Sequence, residues 1–246
     1  MELQPDLSRD ELKRFGLTLL QPRDGYRFTL DPLLLCNFVH AGQEQQIADL
    51  GTGSGVIALV LARMALQAQV IAFEQDGVAA GLAQQNTVLN GLADRVRVLH
   101  EDVLQVRRHL TVSSCDLVVS NPPYHKQGRG RLNPHPGKLA ARHETTATLA
   151  DFLAAAKYLV KPVTGRICLV YHPARLPDLM VEAVVQKLAV VRLRMVHGVP
   201  DAPAKVFLAE LAKGRRNVQL EVAPPLIVRS DGDSYTDEIR HILTGN

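Results

Sequence analysis

Two kinds of segment alternate along the chain. Short apolar runs, bounded by polar or turn-forming residues, are separated by longer segments whose apolar positions recur with the 3.6-residue period of a helix. Short, nearly continuous apolar runs are typical of strands that are buried on both faces of a parallel sheet. The pattern therefore predicts an α/β fold, with a mostly parallel sheet and helices on its faces.

The predicted strands share an apolar run of strand length, and they cover residues 46–50, 69–74, 95–100, 116–120, 166–171, 190–196, 206–212 and 218–222. The predicted helices fill the intervening segments, at residues 31–40, 55–66, 76–90, 148–160, 175–187 and 236–243. After residue 171 the connections become short, with turn residues at 202–203 and 213–214. Short connections favour antiparallel strands, so we expect an antiparallel C-terminal hairpin at one edge of the sheet.

Residue types that begin or end helices occur at several of the predicted helix boundaries. Asp31 followed by Pro32 predicts an N-cap with proline at the first helical position. Asn90 followed by Gly91 supplies a residue that tolerates the left-handed conformation, which ends a helix. Residues 161–165 read as a turn between a helix and the strand that follows it.

The length of 246 residues suits one domain with a full core, so we expect residues 1–246 to form a single unit. No stretch approaches the roughly 18 uncharged apolar residues that span a membrane. The N-terminus lacks a basic segment followed by an apolar core, so we expect no secretory signal and a cytoplasmic protein. The net charge of +3 is too small to indicate nucleic-acid binding by itself.

Three widely spaced cysteines, Cys36, Cys115 and Cys168, lie in apolar surroundings. This arrangement predicts reduced thiols in the core rather than disulfides or metal ligands. We expect no metal site and no membrane contact, and the sequence leaves the oligomeric state open.

A glycine-rich turn, Asp49-Leu-Gly-Thr-Gly-Ser-Gly55, follows the first predicted strand of the sheet. Glycines at 51, 53 and 55 let the backbone turn sharply and approach a ligand closely. Their spacing differs from the dinucleotide pattern, in which a pyrophosphate sits at the helix N-terminus. Asp49 would repel a pyrophosphate and attract a cation, and S-adenosylmethionine carries both an amino group and a sulfonium. A tight connection without a ligand is the alternative.

Two further acids follow the next two predicted strands. Glu74 can accept hydrogen bonds from both hydroxyls of a ribose, and Asp102 can accept one from an adenine amino group. Solvated loop carboxylates are the alternative for either residue alone. Three carboxylates at three successive strand ends favour a donor site for S-adenosylmethionine.

The tetrapeptide Asn121-Pro122-Pro123-Tyr124 directly follows the apolar run 116–120. The side-chain oxygen of Asn121 and the carbonyl of Pro122 can each accept one N–H of an exocyclic amine, which aims the nitrogen lone pair at a methyl donor. Proline fixes the turn, and Tyr124 offers a flat face on which a flipped base can stack. An ordinary strand-ending turn with a packed tyrosine is the alternative.

A long loop, residues 125–147, begins immediately after Tyr124. It is locally cationic, and its candidate phosphate-binding residues are Lys126, Arg129, Arg131 and Arg142. A solvated flexible lid is the alternative. A metal site built from His125, His135 and His143 is disfavoured because their spacing matches no usual ligand pattern.

The N-terminal segment, residues 1–45, precedes the glycine turn. Phe28 and Thr29 within it can fold over the donor-binding turn. Core packing of the aromatic residues is an equally good interpretation of the same segment.

Three stretches, DGYRFTLDPLLL, IADLGTGSG and DLVVSNPPY, together with the loop and the closing segment PPLIVRSDGDSYTDEIRHI, resemble the bacterial tRNA(Val) adenine-N6 methyltransferase family. The resemblance covers nearly the whole chain. It implies a Rossmann-like sheet of seven strands, S-adenosylmethionine as donor, and methylation of an adenine next to an anticodon.

By motif, the resemblance places the donor at Asp49, Gly51, Gly53, Gly55, Glu74 and Asp102, and the amine at Asn121, Pro122 and Tyr124. We also expect Phe28, Thr29 and Asn121 to contact the donor. Asn-Pro-Pro-Tyr is also shared with protein glutamine-N5 methyltransferases. A non-catalytic RNA-binding protein of the same fold is a third interpretation. The arginine- and proline-rich stretch 129–136 departs from some family members and leaves the tRNA species open.

Overall fold

The computed structural model describes residues 7–23, 29–123, 147–215, 218–230 and 233–245 of the chain. The first half contains β1 (Leu7–Leu12), β2 (Leu17–Pro22), α1 (Asp31–Val39), β3 (Gln46–Leu50), α2 (Val56–Met64), β4 (Gln69–Glu74), α3 (Gly77–Leu89), β5 (Val96–His100) and β6 (Leu117–Ser120). The second half contains α4 (Leu149–Leu159), β7 (Arg166–Tyr171), α5 (Leu176–Val185), β8 (Leu188–His197), β9 (Ala204–Lys213), β10 (Glu221–Ile227) and α6 (Asp237–Thr244). Short 3-10 helices lie at Lys13–Phe15, Val103–Arg108 and Pro173–Arg175.

Eight strands form one sheet in the order β10-β8-β9-β7-β6-β3-β4-β5. Strands β3 to β7 run parallel to their neighbours within this group, and β9 is antiparallel to both β7 and β8. The predicted fold class, including the antiparallel β8–β9 hairpin, is confirmed. The sheet has eight strands rather than seven because β10 adds to the free edge of β8, parallel to it.

The predicted helices, and the predicted strands that correspond to β3 through β9, all have observed ends within two residues of those expected. The last strand, β10, lies several residues beyond the predicted 218–222. The separate hairpin formed by β1 and β2 was not predicted, because β1 is largely polar and the pair is joined through a short helical turn.

Side chains of the central strands alternate between two apolar layers. Ile47 of β3 and Val119 of β6 belong to the layer that contains α1 and α2, whereas Ala48 and Val118 belong to the layer that contains α4. Because both faces are covered, these strands are apolar at nearly every position. This explains why the sequence pattern located them so closely.

One predicted helix end is wrong. Asp31 is not the N-cap of α1: the cap position is Leu30, which has helical φ −68° and ψ −23° and makes no capping hydrogen bond with its own side chain. The helix begins earlier because the Leu30 carbonyl accepts from the N–H groups of both Leu33 and Leu34. The predicted end of α3 is confirmed by Gly91, with φ +64°.

The predictions for the cysteines are confirmed, since Cys36, Cys115 and Cys168 are buried free thiols. Burial raises the pKa of each thiol. Within the ranges that the structure describes, every helix is too short or too polar to cross a bilayer.

The chain order reverses direction at the centre of the sheet. From β3 the chain proceeds through β4 to β5 on one side, and then returns to β6 and β7 on the other side. In open α/β sheets, ligands bind beyond the carboxyl ends of the strands at such a switch point. The glycine turn leaves β3 and Asn121 leaves β6, so the two sequence motifs meet at this place.

Candidate active site

The glycine turn is held against the neighbouring strand by two backbone hydrogen bonds. The N–H groups of Gly51 and Thr52 both donate to the carbonyl oxygen of Phe73, at 2.9 Å each. All three glycines have positive φ, at +75° for Gly51, +58° for Gly53 and +89° for Gly55. Residues with a Cβ rarely adopt this conformation, so glycine is required by the backbone itself.

The three glycines differ in what surrounds them. A Cβ on Gly51 would lie 3.3 Å from Cε1 of Phe152, and one on Gly55 would lie 3.2 Å from Cβ of Ala83. A Cβ on Gly53 would meet no described atom within 4 Å. Gly51 and Gly55 therefore permit close packing on α4 and α3, whereas Gly53 faces open space beside the turn.

Asp49 lies on β3 just before the turn, and its side chain is completely buried. Its Oδ2 accepts a 2.5 Å hydrogen bond from the Thr52 hydroxyl. Among the described residues, its Oδ1 has no hydrogen-bond partner. A buried acceptor without a partner is costly, so this atom points to a ligand or a proton that satisfies it.

The electrostatics of Asp49 agree with that geometry. Burial, with a smaller contribution from the nearby charge of Glu74, raises the pKa of its carboxyl to about 7. The Thr52 hydrogen bond and the nearby backbone N–H of Ala58 act in the opposite direction, although the Ala58 N–H does not complete a hydrogen bond to Oδ1. A cation beside this carboxyl would favour its charged form.

Glu74 ends β4 and reaches back to the glycine turn. Its Oε2 accepts the Gly53 N–H at 2.8 Å, and its Oε1 accepts the Asp76 N–H at 2.9 Å. Each carboxylate oxygen can accept a second hydrogen bond. The side chain is thus fixed next to the open side of Gly53. Its contact with ribose hydroxyls stays a prediction.

The two acids that follow β5 are held differently. Asp102 caps the 3-10 helix Val103–Arg108, because its Oδ1 accepts the Leu104 N–H at 2.8 Å. Oε2 of Glu101 lies 3.3 Å from Nε2 of His109, and this hydrogen bond is the main cause that lowers the pKa of Glu101. Glu101 is engaged by a side chain, so Asp102 is the better candidate for a ligand contact.

Asn121 directly follows β6, whose register pairs Ser120 with Leu50 of β3. Asn121 and Gly51 are therefore the residues that directly follow this last pair of the two adjacent strands. Pro122 is buried and Pro123 is exposed. The fold brings the predicted amine-binding residue beside the predicted donor turn.

Other predicted site residues lie outside the described ranges, and their roles stay predictions: Phe28, Tyr124, Lys126, Arg129, Arg131 and Arg142, with the loop histidines His125, His135 and His143. Thr29 is described and precedes α1, where its hydroxyl oxygen accepts the Asp31 N–H at 3.3 Å. Its contact with the donor stays a prediction.

Sequence reasoning missed three residues that support the turn. Thr52 lies within the motif, but its hydrogen bond to Asp49 depends on the turn geometry. Phe152 on α4 carries no motif and contacts the turn only through the fold. Asn86 on α3 donates to the Ser54 carbonyl at 2.9 Å, and no motif in the sequence marks it.

A family model described as the methyltransferase small domain matches residues 31–193 of the chain. A solved structure from Agrobacterium tumefaciens, described as a predicted O-methyltransferase, superposes with a TM-score of 0.70 and 22% identity, over 87% of this chain and 96% of the other. The superposition shows the Rossmann-like fold, and the family match over more than half of the chain defines the protein as a methyltransferase of that class.

Two curated relatives identify the family. A tRNA1(Val) (adenine(37)-N6)-methyltransferase of Serratia proteamaculans is 31% identical over 94% of this chain and 89% of its own length. One from Porphyromonas gingivalis is 34% identical over 68% of this chain, and that match spans 65% of the relative, just under two thirds of its length. The chain belongs to the bacterial tRNA1(Val) (adenine-N6) methyltransferase family.

The methyl donor of this class is S-adenosylmethionine, and the described residues fit it. The unpartnered Oδ1 of buried Asp49 and the open space beside Gly53 are the features that a cationic ligand lying on this turn would use. Glu74, fixed beside Gly53, offers acceptors for hydroxyl groups.

Proposed function

We propose that this protein transfers a methyl group to N6 of an adenine in tRNA. The observation that carries the proposal is that Asn121 and Gly51 directly follow Ser120 and Leu50, which are partners in two adjacent strands at the switch point of the sheet. An acceptor for an amine and a turn for a methyl donor thus lie side by side. The proposal extends the name of the family's curated members to this chain.

The chemistry follows from the nature of the amine. The lone pair of an adenine N6 is delocalised into the ring, so the nitrogen is a poor nucleophile until its hydrogens are held out of the ring plane. The Asn121 side-chain oxygen and the Pro122 carbonyl supply two acceptors, and proline restricts the direction of the second. Positioning of this kind removes much of the barrier without a strong base, because the proton leaves after methylation.

The donor side is prepared by the buried carboxyl of Asp49 and by the fixed carboxylate of Glu74. When bound, S-adenosylmethionine supplies a methyl group on a positively charged sulfur. Asp49 would favour that charge from a site that excludes water, and Glu74 would orient the nucleoside end. Asp102 is proposed to contact the adenine amino group of the donor.

The RNA side rests on the loop 125–147, whose lysine and arginine residues we propose to bind phosphates. Tyr124 is proposed to stack on the flipped target base. The curated relatives are named for adenine 37 of tRNA1(Val), and we propose the same nucleotide for this chain. A cytoplasmic location agrees with a tRNA substrate and is proposed with it.

The experiment uses purified protein, labelled S-adenosylmethionine and transcribed tRNA1(Val), followed by digestion to nucleosides. We expect label in N6-methyladenosine, and loss of that label when adenine 37 is replaced by guanine. Label that persists in the altered tRNA would contradict the proposed position. Label in a protein glutamine in a cell extract would support glutamine-N5 methylation instead, and donor binding without transfer would support a non-catalytic protein.

A pair of variants tests the role of Asn121. Asn121→Ala removes the side-chain acceptor, so we expect transfer to fall by a factor of about a hundred or more while donor affinity stays nearly unchanged. Asn121→Asp keeps an acceptor of the same size and should retain more activity than the alanine variant. Normal turnover of Asn121→Ala would remove the amine contact from the mechanism.

A further inference from the structure

Two asparagines on α3 bind the edge of the N-terminal hairpin as a neighbouring strand would. The Thr18 N–H donates to Oδ1 of Asn90 at 2.8 Å, and Nδ2 of Asn90 donates to the Thr18 carbonyl at 2.7 Å. The Leu20 N–H donates to Oδ1 of Asn86 at 2.7 Å, and Nδ2 of Asn86 donates to the Leu20 carbonyl at 3.1 Å. Each amide side chain therefore reproduces the donor and acceptor of one peptide group.

The spacing of the two asparagines explains why the match works. Residues four apart on a helix are separated by about 6 Å along its axis, and residues two apart on a strand by about 6.6 Å. Asn86 and Asn90 lie on one face of α3, so they meet Leu20 and Thr18 in antiparallel order. The free edge of β2 is thereby paired without a third strand.

Asn86 differs from Asn90 in its burial and in one further hydrogen bond. It is completely buried, and its Nδ2 also donates to the Ser54 carbonyl of the glycine turn at 2.9 Å. The hydrogen bonds of the Asn90 side chain among the described residues go to Thr18 and to the Asn86 carbonyl, and none of them goes to the turn. Asn86 is therefore a direct link between the hairpin and the donor turn.

The Ser54 contact constrains the peptide that shapes the turn. The carbonyl of the Ser54–Gly55 peptide accepts from Asn86, and the N–H of the same peptide donates to the Thr52 carbonyl at 3.0 Å. This peptide is fixed at both ends, which holds Gly55 at φ +89°. Without Asn86 this peptide would keep only its bond to Thr52, so we expect the part of the turn that follows Gly53 to be held less firmly.

The geometry points to Asn86 as a positioning residue that couples docking of the N-terminal hairpin to binding of the methyl donor. Since one side chain holds both elements, a donor that orders the turn also stabilises the hairpin, and the reverse effect has the same size. The inference rests on the proposed role of the glycine turn in donor binding. It does not depend on which amine receives the methyl group.

The test compares two alanine variants by donor titration without tRNA. Asn86→Ala and Asn90→Ala each remove a pair of hydrogen bonds to the hairpin, but only Asn86→Ala releases Ser54. We expect the dissociation constant for S-adenosylmethionine to rise about tenfold in Asn86→Ala and to change little in Asn90→Ala. Equal reductions of affinity that follow the reductions of thermal stability would overturn the assignment.

Hydrogen exchange supplies a readout that a purely structural role would not change. In the wild-type protein, the donor should slow amide exchange in residues 17–22, and this effect should survive in Asn90→Ala but vanish in Asn86→Ala. Exchange in that segment that is indifferent to the donor in the wild type would refute the coupling even if Asn86→Ala fails to fold. Absence of any donor binding by the wild type would instead refute the donor site itself.

Discussion

The Ser120 hydroxyl donates a 2.7 Å hydrogen bond to the carbonyl oxygen of Leu50. These are the last residues of β6 and β3, and each immediately precedes one of the two functional motifs. The bond is buried, so water does not compete for it. This bond holds the start of the glycine turn, after Leu50, next to the start of the segment that carries Asn121, after Ser120.

This relationship gives a prediction for Ser120→Ala. Removal of the bond leaves the Leu50 carbonyl with one partner fewer, so we expect a decrease of about 1–3 kcal/mol in the free energy of unfolding. Because the donor and acceptor sites are no longer held at a fixed separation, kcat should fall by up to about a hundredfold. Steady-state kinetics with saturating donor measures this effect.

The matched control is Ser114→Ala, which removes a 2.8 Å hydrogen bond from a hydroxyl to the Thr111 carbonyl, just before the opposite end of β6. This variant should keep its kcat. If both variants have the same kcat, the Ser120 bond serves stability alone.

Alanine variants of two glycines with nearly the same backbone conformation distinguish the effect of backbone strain from an effect on donor binding. Gly53 has φ +58° and Gly16 has φ +59°, and a Cβ on either would meet no described atom within 4 Å. Alanine at either position should therefore reduce stability by a similar amount, about 1–2 kcal/mol. Only Gly53→Ala places a methyl group on the proposed donor surface, so only that variant should show weakened S-adenosylmethionine binding in a titration. Retention of full affinity would place the donor elsewhere.

The raised pKa of Asp49 predicts a pH dependence of stability. In the unfolded chain this carboxyl loses its proton near pH 3.8, whereas in the fold it keeps the proton until about pH 7. Between these values the folded state binds more protons than the unfolded state, so the free energy of unfolding falls as pH rises. The decrease is on the order of 4 kcal/mol for the ligand-free protein.

Urea unfolding of wild type and Asp49→Asn, from pH 4 to pH 8, isolates this contribution as the difference between the two profiles. A difference that is constant with pH would show that Asp49 has an ordinary pKa.

The same carboxyl predicts proton release on donor binding. A cationic ligand beside Asp49 lowers the pKa of the carboxyl, so binding near neutral pH should release a fraction of one proton. Calorimetry in two buffers with different ionisation enthalpies measures that fraction. Asp49→Asn should bind more weakly and release none, and equal release by both proteins would contradict the contact.

Variants of the acidic residues at the carboxyl ends of β4 and β5 provide another comparison of donor affinity. Glu74→Gln turns an amide towards the N–H of Gly53 or of Asp76, so it should disturb the turn and weaken donor binding. Asp102→Asn should weaken it as well. Glu101→Gln is the control, because the partners of its carboxylate are His109 and the Asp102 N–H, and we expect unchanged affinity. These assignments would be disproved if donor titrations showed that Glu101→Gln weakens binding as much as Glu74→Gln and Asp102→Asn.

The salt dependence of tRNA affinity tests whether the basic loop 125–147 binds phosphates. Replacing both Arg129 and Arg131 with glutamine should reduce the slope of log affinity against log salt concentration for tRNA, by roughly one unit for each arginine that binds a phosphate. Replacing Arg229 and Arg240, near the C-terminus, removes the same charge and should leave the slope unchanged. A loop variant with the wild-type slope would exclude a phosphate role.

The predictability of this fold has a clear physical origin. Strands such as β3, β4 and β7 are buried on both faces, so continuous apolar runs marked them to the residue. The hairpin β1–β2 has no comparable run, because its pairing depends on Asn86 and Asn90 far along the chain. The prediction of an Asp31 cap was wrong because Asp, Pro and Leu are compatible with either starting position, and only the bonds to the Leu30 carbonyl decide it.

By itself, the sequence determined the α/β class, the central strands and the residue types at the two motifs, because burial and turn geometry act over short distances and leave local patterns. The tertiary structure alone decided which strand ends are neighbours, how the Ser120 hydroxyl meets the Leu50 carbonyl, and why one oxygen of Asp49 has no partner among the described residues. These features depend on contacts between segments far apart in the chain. No local pattern encodes them, because each distance is set by the packing of the whole sheet.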